Sequence, residues 1–263
     1  MKKFWNFKIT RRFIRVWQRD LKVYRKTWKI NFMPPLLEPV FYVLAFGLGL
    51  GAMVGSIEYM NARISYVSFI APALISITIM NNAFFENTYV SFVRMYYQKT
   101  FDCMMATPLS LEEIITGEII WGASKSVIAT IIMMIILSLF KLISYPSGFL
   151  LIPLAFIGGI AFGSIGMFFT GIIPNIESFN LPVFLFITPM FLFSETFFPL
   201  SNIPLWARII SLFSPLTHLV QISRAFSFGM FNLRLLLNFM YLVFFCLVFF
   251  PLALYKMRKR LIK

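Results

Sequence analysis

Apolar residues follow two rhythms along this chain. Near its start Ile9, Phe13, Trp17, Leu21, Tyr24 and Trp28 recur every three or four positions, with Lys and Arg between them. That is the period of a helix with one oily and one cationic face, suited to lying on a membrane surface. Further on the polar interruptions thin out, and long apolar runs predict helices of about 20 residues, the length that crosses a bilayer core. Six runs are read, at about 36–54, 64–85, 114–140, 149–173, 180–199 and 233–255. The expected fold class is all-α integral membrane. It consists of an N-terminal amphipathic interfacial helix (1–33), then a six-transmembrane-helix bundle (34–263) with short re-entrant outer helices between spans five and six.

Smaller patterns refine this outline. Pro34 and Pro35 are expected to open the first span, and Gly47, Gly51 and Gly55, four apart, predict a smooth stripe for close helix approach. Ala155, Gly159 and Gly163 predict a second such stripe on the fourth span. From Glu86 to Glu113 the chain turns polar, which predicts a loop carrying a short amphipathic helix that Pro108 stops. Ser110 with Glu113 three residues on then reads as a capping box opening the third span. Residues 200–232 are apolar but broken by Pro204 and Pro215, and are read as two short helices whose backbone is satisfied against protein.

Composition agrees with lipid as the solvent, since 59% of 263 residues are hydrophobic, only 13% are charged, and 33 are Phe. The net charge of +14 is concentrated at the ends. Lys2, Lys3, Lys8, Arg11, Arg12, Arg15, Arg19, Lys22, Arg25, Lys26 and Lys29 precede the first run, and Lys256, Arg258, Lys259, Arg260 and Lys263 follow the last. The positive-inside rule puts both termini in the cytoplasm and requires an even number of spans. A basic face already patterned towards lipid argues against nucleic acid as partner. No cleavable signal peptide is expected, and Cys103 and Cys246 read as free thiols.

Chemistry-bearing motifs are few. GEIIWGASKS (Gly117–Ser126) has two residues too many for a phosphate-binding loop and lies in a span. One histidine, His218, and two distant cysteines make no metal site. His218 has Ser211, Ser214 and Thr217 nearby, but a structural, hydrogen-bonded role is the expectation over a catalytic one. Glu38, Glu118, Lys125 and Glu195 lie within apolar stretches, where ionisable groups face a bundle interior or water, and Glu118 and Lys125, seven apart, share a face.

Three segments in order carry a resemblance: EPVFYVLAFGLGLGAMVG (Glu38–Gly55), ATPLSLEEI with its GEIIWGASK continuation, and the stretch from Phe179 to Ala225. Together with the basic amphipathic start they resemble type-2 ATP-binding-cassette (ABC-2) transport permeases, in particular the nodulation lipo-oligosaccharide exporter permease subgroup. The resemblance covers nearly the whole chain. It implies an inner-membrane half-transporter in which a homodimer of this chain pairs with two copies of a separate ABC ATPase. ATP and Mg would reside on that partner, with no cofactor and no catalysis on this chain.

The coupling helix to the ATPase would map to about 94–108, with Arg94, Tyr97, Lys99, Asp102, Met104, Thr107 and Pro108. The first and fifth spans would line the path through Glu38, Phe41, Tyr42, Phe186, Phe191 and Glu195. Outer gate helices would map to about 200–225, with Pro199, Pro204, Trp206, Arg208, Pro215, His218 and Arg224. Glu195 departs from the small residue expected at its position, and it could bind a polar substrate group or pair with Arg208 or Arg224. The substrate implied is amphipathic, a lipid-linked saccharide or lipo-oligosaccharide. Efflux of a hydrophobic drug or antibiotic is the alternative within transport, and a membrane-embedded lipid or glycan transferase the alternative outside it. On this reading, charge reversal at Arg94 or Lys99, or proline at Met104, would uncouple the ATPase and leave the fold intact.

Overall fold

The computed structural model describes residues 9–59, 62–199 and 204–262. Four helices among them are long and apolar enough to cross a membrane: α3 (Tyr66–Tyr97), α5 (Leu111–Leu139), α6 (Ser147–Thr170) and α10 (Leu233–Leu261). Helices α3, α5 and α6 pack on one another, and α10 lies against α6 with its outer face open, where Leu233, Leu237, Phe244 and Leu247 form an exposed apolar stripe. Lys2, Lys3, Lys8, Lys263 and residues 200–203 of the expected gate lie outside the described residues.

Helix α1 (Phe13–Lys26) is shorter than the predicted helix from Lys8 to Trp28, and its inner face meets protein. Val16 and Asp20 are buried against α5, because Gly117 leaves a notch there: a Cβ at Gly117 would stand 2.6 Å from Val16 Cβ. Trp17 Nε1 donates to Ser124 Oγ at 2.9 Å on the same contact. Helix α2 (Trp28–Leu44) starts well before the expected span and runs through Pro34, Pro35 and Pro39. It continues through a widened turn, Ala45–Leu50, into Gly51–Val54. Of the expected stripe of Gly47, Gly51 and Gly55, Gly51 faces α3, where an added Cβ would stand 3.4 Å from Val67 Cγ2, and Gly47 lies outside the residues whose side chains are described. The widened turn breaks the four-residue spacing, and Gly55, at φ +68° with open space around it, ends the helix.

A hairpin absent from the sequence reading follows, with β1 (Ser56–Tyr59) antiparallel to β2 (Ala62–Ser65) and Glu58 opposite Arg63. Ser65 then caps α3 by accepting from Ser68 N at 3.2 Å. The second span does not stop near Phe85. Its helix continues through two widened turns, Glu86–Val90 and Val93–Tyr97, so Glu86 and Arg94 belong to a long helix and not to a loop. Lys99, in the left-handed region at φ 53°, ends that helix, and α4 (Thr100–Met105) is all that remains of the separate amphipathic helix. The capping box forms as predicted: Ser110 Oγ accepts from Glu113 N at 3.2 Å and Glu113 Oε2 accepts from Ser110 N at 2.9 Å.

The predicted stripe on the fourth span forms a close helix contact. A Cβ at Gly159 would lie 2.6 Å from Ala123 Cα, so α5 and α6 touch backbone to side. Helix α7 (Glu177–Phe193) is shorter than the fifth span expected, with a widened turn at Val183–Ile187. The broken region resolves into α8 (Leu205–Phe213) and α9 (Pro215–Phe228). Pro215 sits at the first turn of α9, where a missing N–H costs nothing, and Gly229 at φ 69° closes it. α1 and the basic end of α10 share one end of the bundle, where Arg258 meets Glu112 at 3.4 Å, while the hairpin and α8 share the other.

Replacing Gly159 by Leu is expected to force α5 and α6 apart and destabilise the chain by about 1–3 kcal/mol, the usual range for overpacking. Gly49→Ala, with nothing within 4 Å of the added carbon, is expected to be neutral or slightly stabilising. Thermal unfolding of both variants in detergent checks this; equal midpoints would refute the contact.

Candidate functional site

Two features stand together at the end that carries the termini: a buried charge cluster and an exposed turn. Asp20 is the only acid among the cations of the first 29 residues, and α1 turns it inward beside Val16. Glu86 and Arg94 lie eight residues apart on the extension of α3, and Glu118 and Lys125 seven apart on α5, so each pair shares a face. These three faces meet at Arg94. Its Nη1 donates to Asp20 Oδ1 at 2.7 Å, and its Nη2 donates to Glu86 and stands 3.3 Å from Glu118 Oε2.

Neighbours complete the cluster. Glu86 also accepts from Trp121 Nε1 at 3.0 Å and Lys125 Nζ at 2.8 Å, Ser91 Oγ donates to Glu118 at 2.6 Å, and Arg19 donates to Asp20 at 2.9 Å. Burial pushes the Asp20 carboxyl above its ordinary value, and Arg94 and Arg19 pull against that shift. Three carboxylates thus meet three cations, a balance that removing one partner would upset more than the whole cluster stabilises.

Below the cluster, Phe101 and Met104 of α4 insert into an apolar core with Phe92, Met95, Leu111, Ile114 and Phe179. Their insertion leaves Tyr97, Lys99, Asp102, Thr107 and Pro108 exposed in one turn. The N-terminal segment is strapped across it: Arg12 Nη1 donates to Pro108 O at 2.6 Å, and Thr10 donates from backbone and hydroxyl to Glu113. Of the seven residues expected at the coupling helix, five are exposed, while Arg94 and Met104 point inward. The expectation that Arg94 could be reversed in charge without harm to the fold is therefore corrected. Its guanidinium is buried among three carboxylates, and Met104 is likewise a packing residue.

Glu38 is half-buried on α2 in an open pocket with Pro34, Leu37, Phe41 and Tyr42, and Phe41 is exposed. Tyr42 and Phe46 stack on each other, and Phe46 and Phe191 each meet Phe197. Phe186 of α7 packs on Phe169 of α6. At the opposite end Arg224, on an expected gate helix, is fully buried and pairs with Glu195 at 3.5 Å, one of the two pairings the sequence offered for Glu195. Pro199 is buried beside that pair, Pro204 opens α8, Trp206 packs edge-on against Phe193, and Arg208 lies on α8. His218 is held structurally, with Nδ1 2.9 Å from Asn238 Oδ1, Nε2 2.9 Å from Leu212 O, and its ring stacked on Tyr241. GEIIWGASKS lies within α5, its two glycines closed against Val16 and Asn87.

Asp20, Glu86, Gln221 and Asn238 are members of these polar clusters that sequence reasoning missed. The lone acid on the stripe of α1 was the one available signal. Glu86 was hidden by reading its surroundings as a loop.

The chain is thus a bundle of long apolar helices with an exposed turn between α3 and α5, whose facing sides carry the buried charges. The family described as ABC-2 type transporter matches residues 11–228, and the chain belongs to that family. Nodulation protein J of Sinorhizobium fredii is 33% identical over 211 residues, covering 80% of this chain and 79% of the relative. Nodulation protein J of Rhizobium leguminosarum bv. viciae is 30% identical over 248 residues, 94% of each chain. A more distant relative, Inner membrane transport permease YadH of Escherichia coli, is 22% identical over 236 residues, 89% of this chain and 90% of that one. Membership implies an ABC ATPase as partner.

Arg94→Ala is expected to cost about 3–5 kcal/mol, because it strands buried carboxylates, whereas Lys99→Glu at an exposed position should shift stability by less than ~0.5 kcal/mol. Unfolding midpoints of the two variants in detergent, compared with the parent, measure the difference. An Arg94→Ala protein as stable as the parent would contradict the cluster.

Proposed function

We propose that this chain is the membrane-spanning subunit of an ATP-driven exporter for an amphipathic substrate, a lipid-linked saccharide or lipo-oligosaccharide. Two copies of it work with two copies of a separate ABC ATPase that holds the ATP and Mg. The observation that carries the reading is the exposed turn of Tyr97, Lys99, Asp102, Thr107 and Pro108. It is joined without slack to α3 and α5, braced by the Arg94 cluster and strapped by the N-terminal segment. A push on such a turn moves two long helices and α1 together. In a loosely attached loop the same push would dissipate.

The charge bias supports cytoplasmic termini in the inner membrane, and hence the turn facing a cytoplasmic ATPase. The Escherichia coli relative, an inner membrane transport permease by name, points to the same membrane. Similarity to the Nodulation protein J relatives favours the nodulation-type exporter subgroup, and the amphipathic saccharide cargo is what the resemblance of the three sequence segments to that subgroup implies. α2 and α7, with Glu38, Phe41, Tyr42, Phe186, Phe191 and Glu195, are the elements proposed for the path. Phe41, Phe184 and Leu185 leave apolar faces exposed that a second copy or lipid would cover.

Pull-down of the tagged chain from its native membrane in mild detergent, followed by mass spectrometry, should recover an ABC ATPase in stoichiometric amount. The double variant Asp102→Lys, Thr107→Arg should reduce that recovery at least tenfold with an unchanged unfolding midpoint. An ATPase-free chain that keeps its fold, or full recovery with the double variant, would overturn the coupling assignment.

A further inference from the structure

At the end opposite the termini a cavity of about 280 Å³ opens between the β1–β2 hairpin, the end of α7, α9 and the start of α10. Its floor is Arg224, fully buried, with its guanidinium 3.7 Å from the Phe69 ring centre. Nε donates to Phe69 O at 3.2 Å and Nη2 to Glu195 O at 2.5 Å, while Nη1 has no hydrogen-bond partner among the described residues. Glu195 itself sits in the left-handed region at φ 59°, a conformation that costs a side-chain-bearing residue energy and recurs at ligand sites.

The carboxylate of Glu195 is aimed by a chain of amides. Gln221 Nε2 donates to its Oε2 at 2.9 Å, and Asn238 Nδ2 donates to Gln221 Oε1 at 2.9 Å. Asn238 is in turn held by His218. The Oε1 of Glu195 stands 3.5 Å from Arg224 Nη1 at the cavity wall. Glu58, Tyr59 and Arg234 complete the wall, and neither Glu58 nor Arg234 has an ion-pair partner among the described residues.

The size lies at the lower limit of small-molecule pockets, ~300–1,000 Å³, and so admits a ring or two and not a chain. The lining decides the chemistry. Glu58 and Arg234 face this space without an ion-pair partner among the described residues and Glu195 reaches it from its pair with the buried Arg224, so an anion meets Glu58 and Glu195 and a cation meets Arg234. A neutral ring of hydroxyls, each both donor and acceptor, satisfies the carboxylates, the amides and the arginines together. We infer that this cavity binds the saccharide head group of the transported molecule on the far side of the membrane, where it waits before release. The inference rests on the exporter reading above for the identity of the cargo.

The test is calorimetric titration of the purified chain in lipid nanodiscs with glucose, maltose and cellobiose, using glycerol 3-phosphate and ethanolamine as anionic and cationic controls. Saturable sugar binding is expected, weakened tenfold or more by Glu58→Gln combined with Arg234→Gln at the rim. Glu195→Gln, which keeps the shape and removes the charge, is expected to weaken it as well. No saturable sugar binding, binding indifferent to these variants, or tighter binding of either control would overturn the proposal. ATPase recovery in the pull-down without sugar binding would remove the cavity proposal alone. Variant-sensitive sugar binding by a chain that recovers no ATPase would keep the site and remove the exporter reading.

Discussion

A guanidinium taken out of water must be met by carboxylates, and at Arg94 this requirement draws three helices to one point. Asp20 comes from α1, Glu86 from the extension of α3 and Glu118 from α5, with Lys125 and Arg19 balancing the surplus of acid. Desolvating six charges costs several kcal/mol per ion, so the cluster adds little net stability over an apolar core. Its consequence is geometric. Ion pairs with several donors and acceptors tolerate few alternative arrangements, so the surface helix, the second span and the third span take fixed positions relative to one another.

That fixed geometry explains why the exposed turn is a credible place to receive force. Phe101 and Met104 anchor it from above, and Arg12 and Thr10 hold it from the side. At the other end of the bundle Arg224 plays a comparable part, tying α9 to α3 and to the end of α7 through Phe69 O and Glu195 O. Each end is thus organised by one buried arginine, while the middle is held by small residues: Gly159 against Ala123, Gly163 and Gly166 against Asn87 and Phe84. The arginine ends confer directional contacts, and the glycine middle confers close approach.

Much of this was legible in the sequence wherever a local pattern has one physical solution. Apolar runs too long and too numerous for a water-soluble core require lipid, and the four long helices appear where those runs are. Ser110 and Glu113 form their capping box, Ala155, Gly159 and Gly163 mark a packing face, and Pro215 starts a helix, because each depends only on neighbours within a turn or on the absence of a side chain. The lone Asp20 in a basic stripe was a readable anomaly. The amphipathic period of α1 was also readable, although what its inner face would touch was not.

The tertiary structure decided the rest, since it depends on partners far away in sequence. The polar stretch after Phe85 looks like a loop because its charges appear unmatched, yet it stays helical once Asp20, Glu118 and Lys125 satisfy them from other helices. Arg94 reads as an exposed cation for the same reason, and only the buried carboxylate and carbonyl partners of Arg94 and Arg224 explain why both point inward. The sequence by itself determined that this is an apolar helical bundle with basic ends and capped, closely packed spans. Which charges are buried, which turn remains exposed and where a polar cavity opens were decided by the fold, because the cost of burying a charge is offset only by partners that tertiary packing brings within reach.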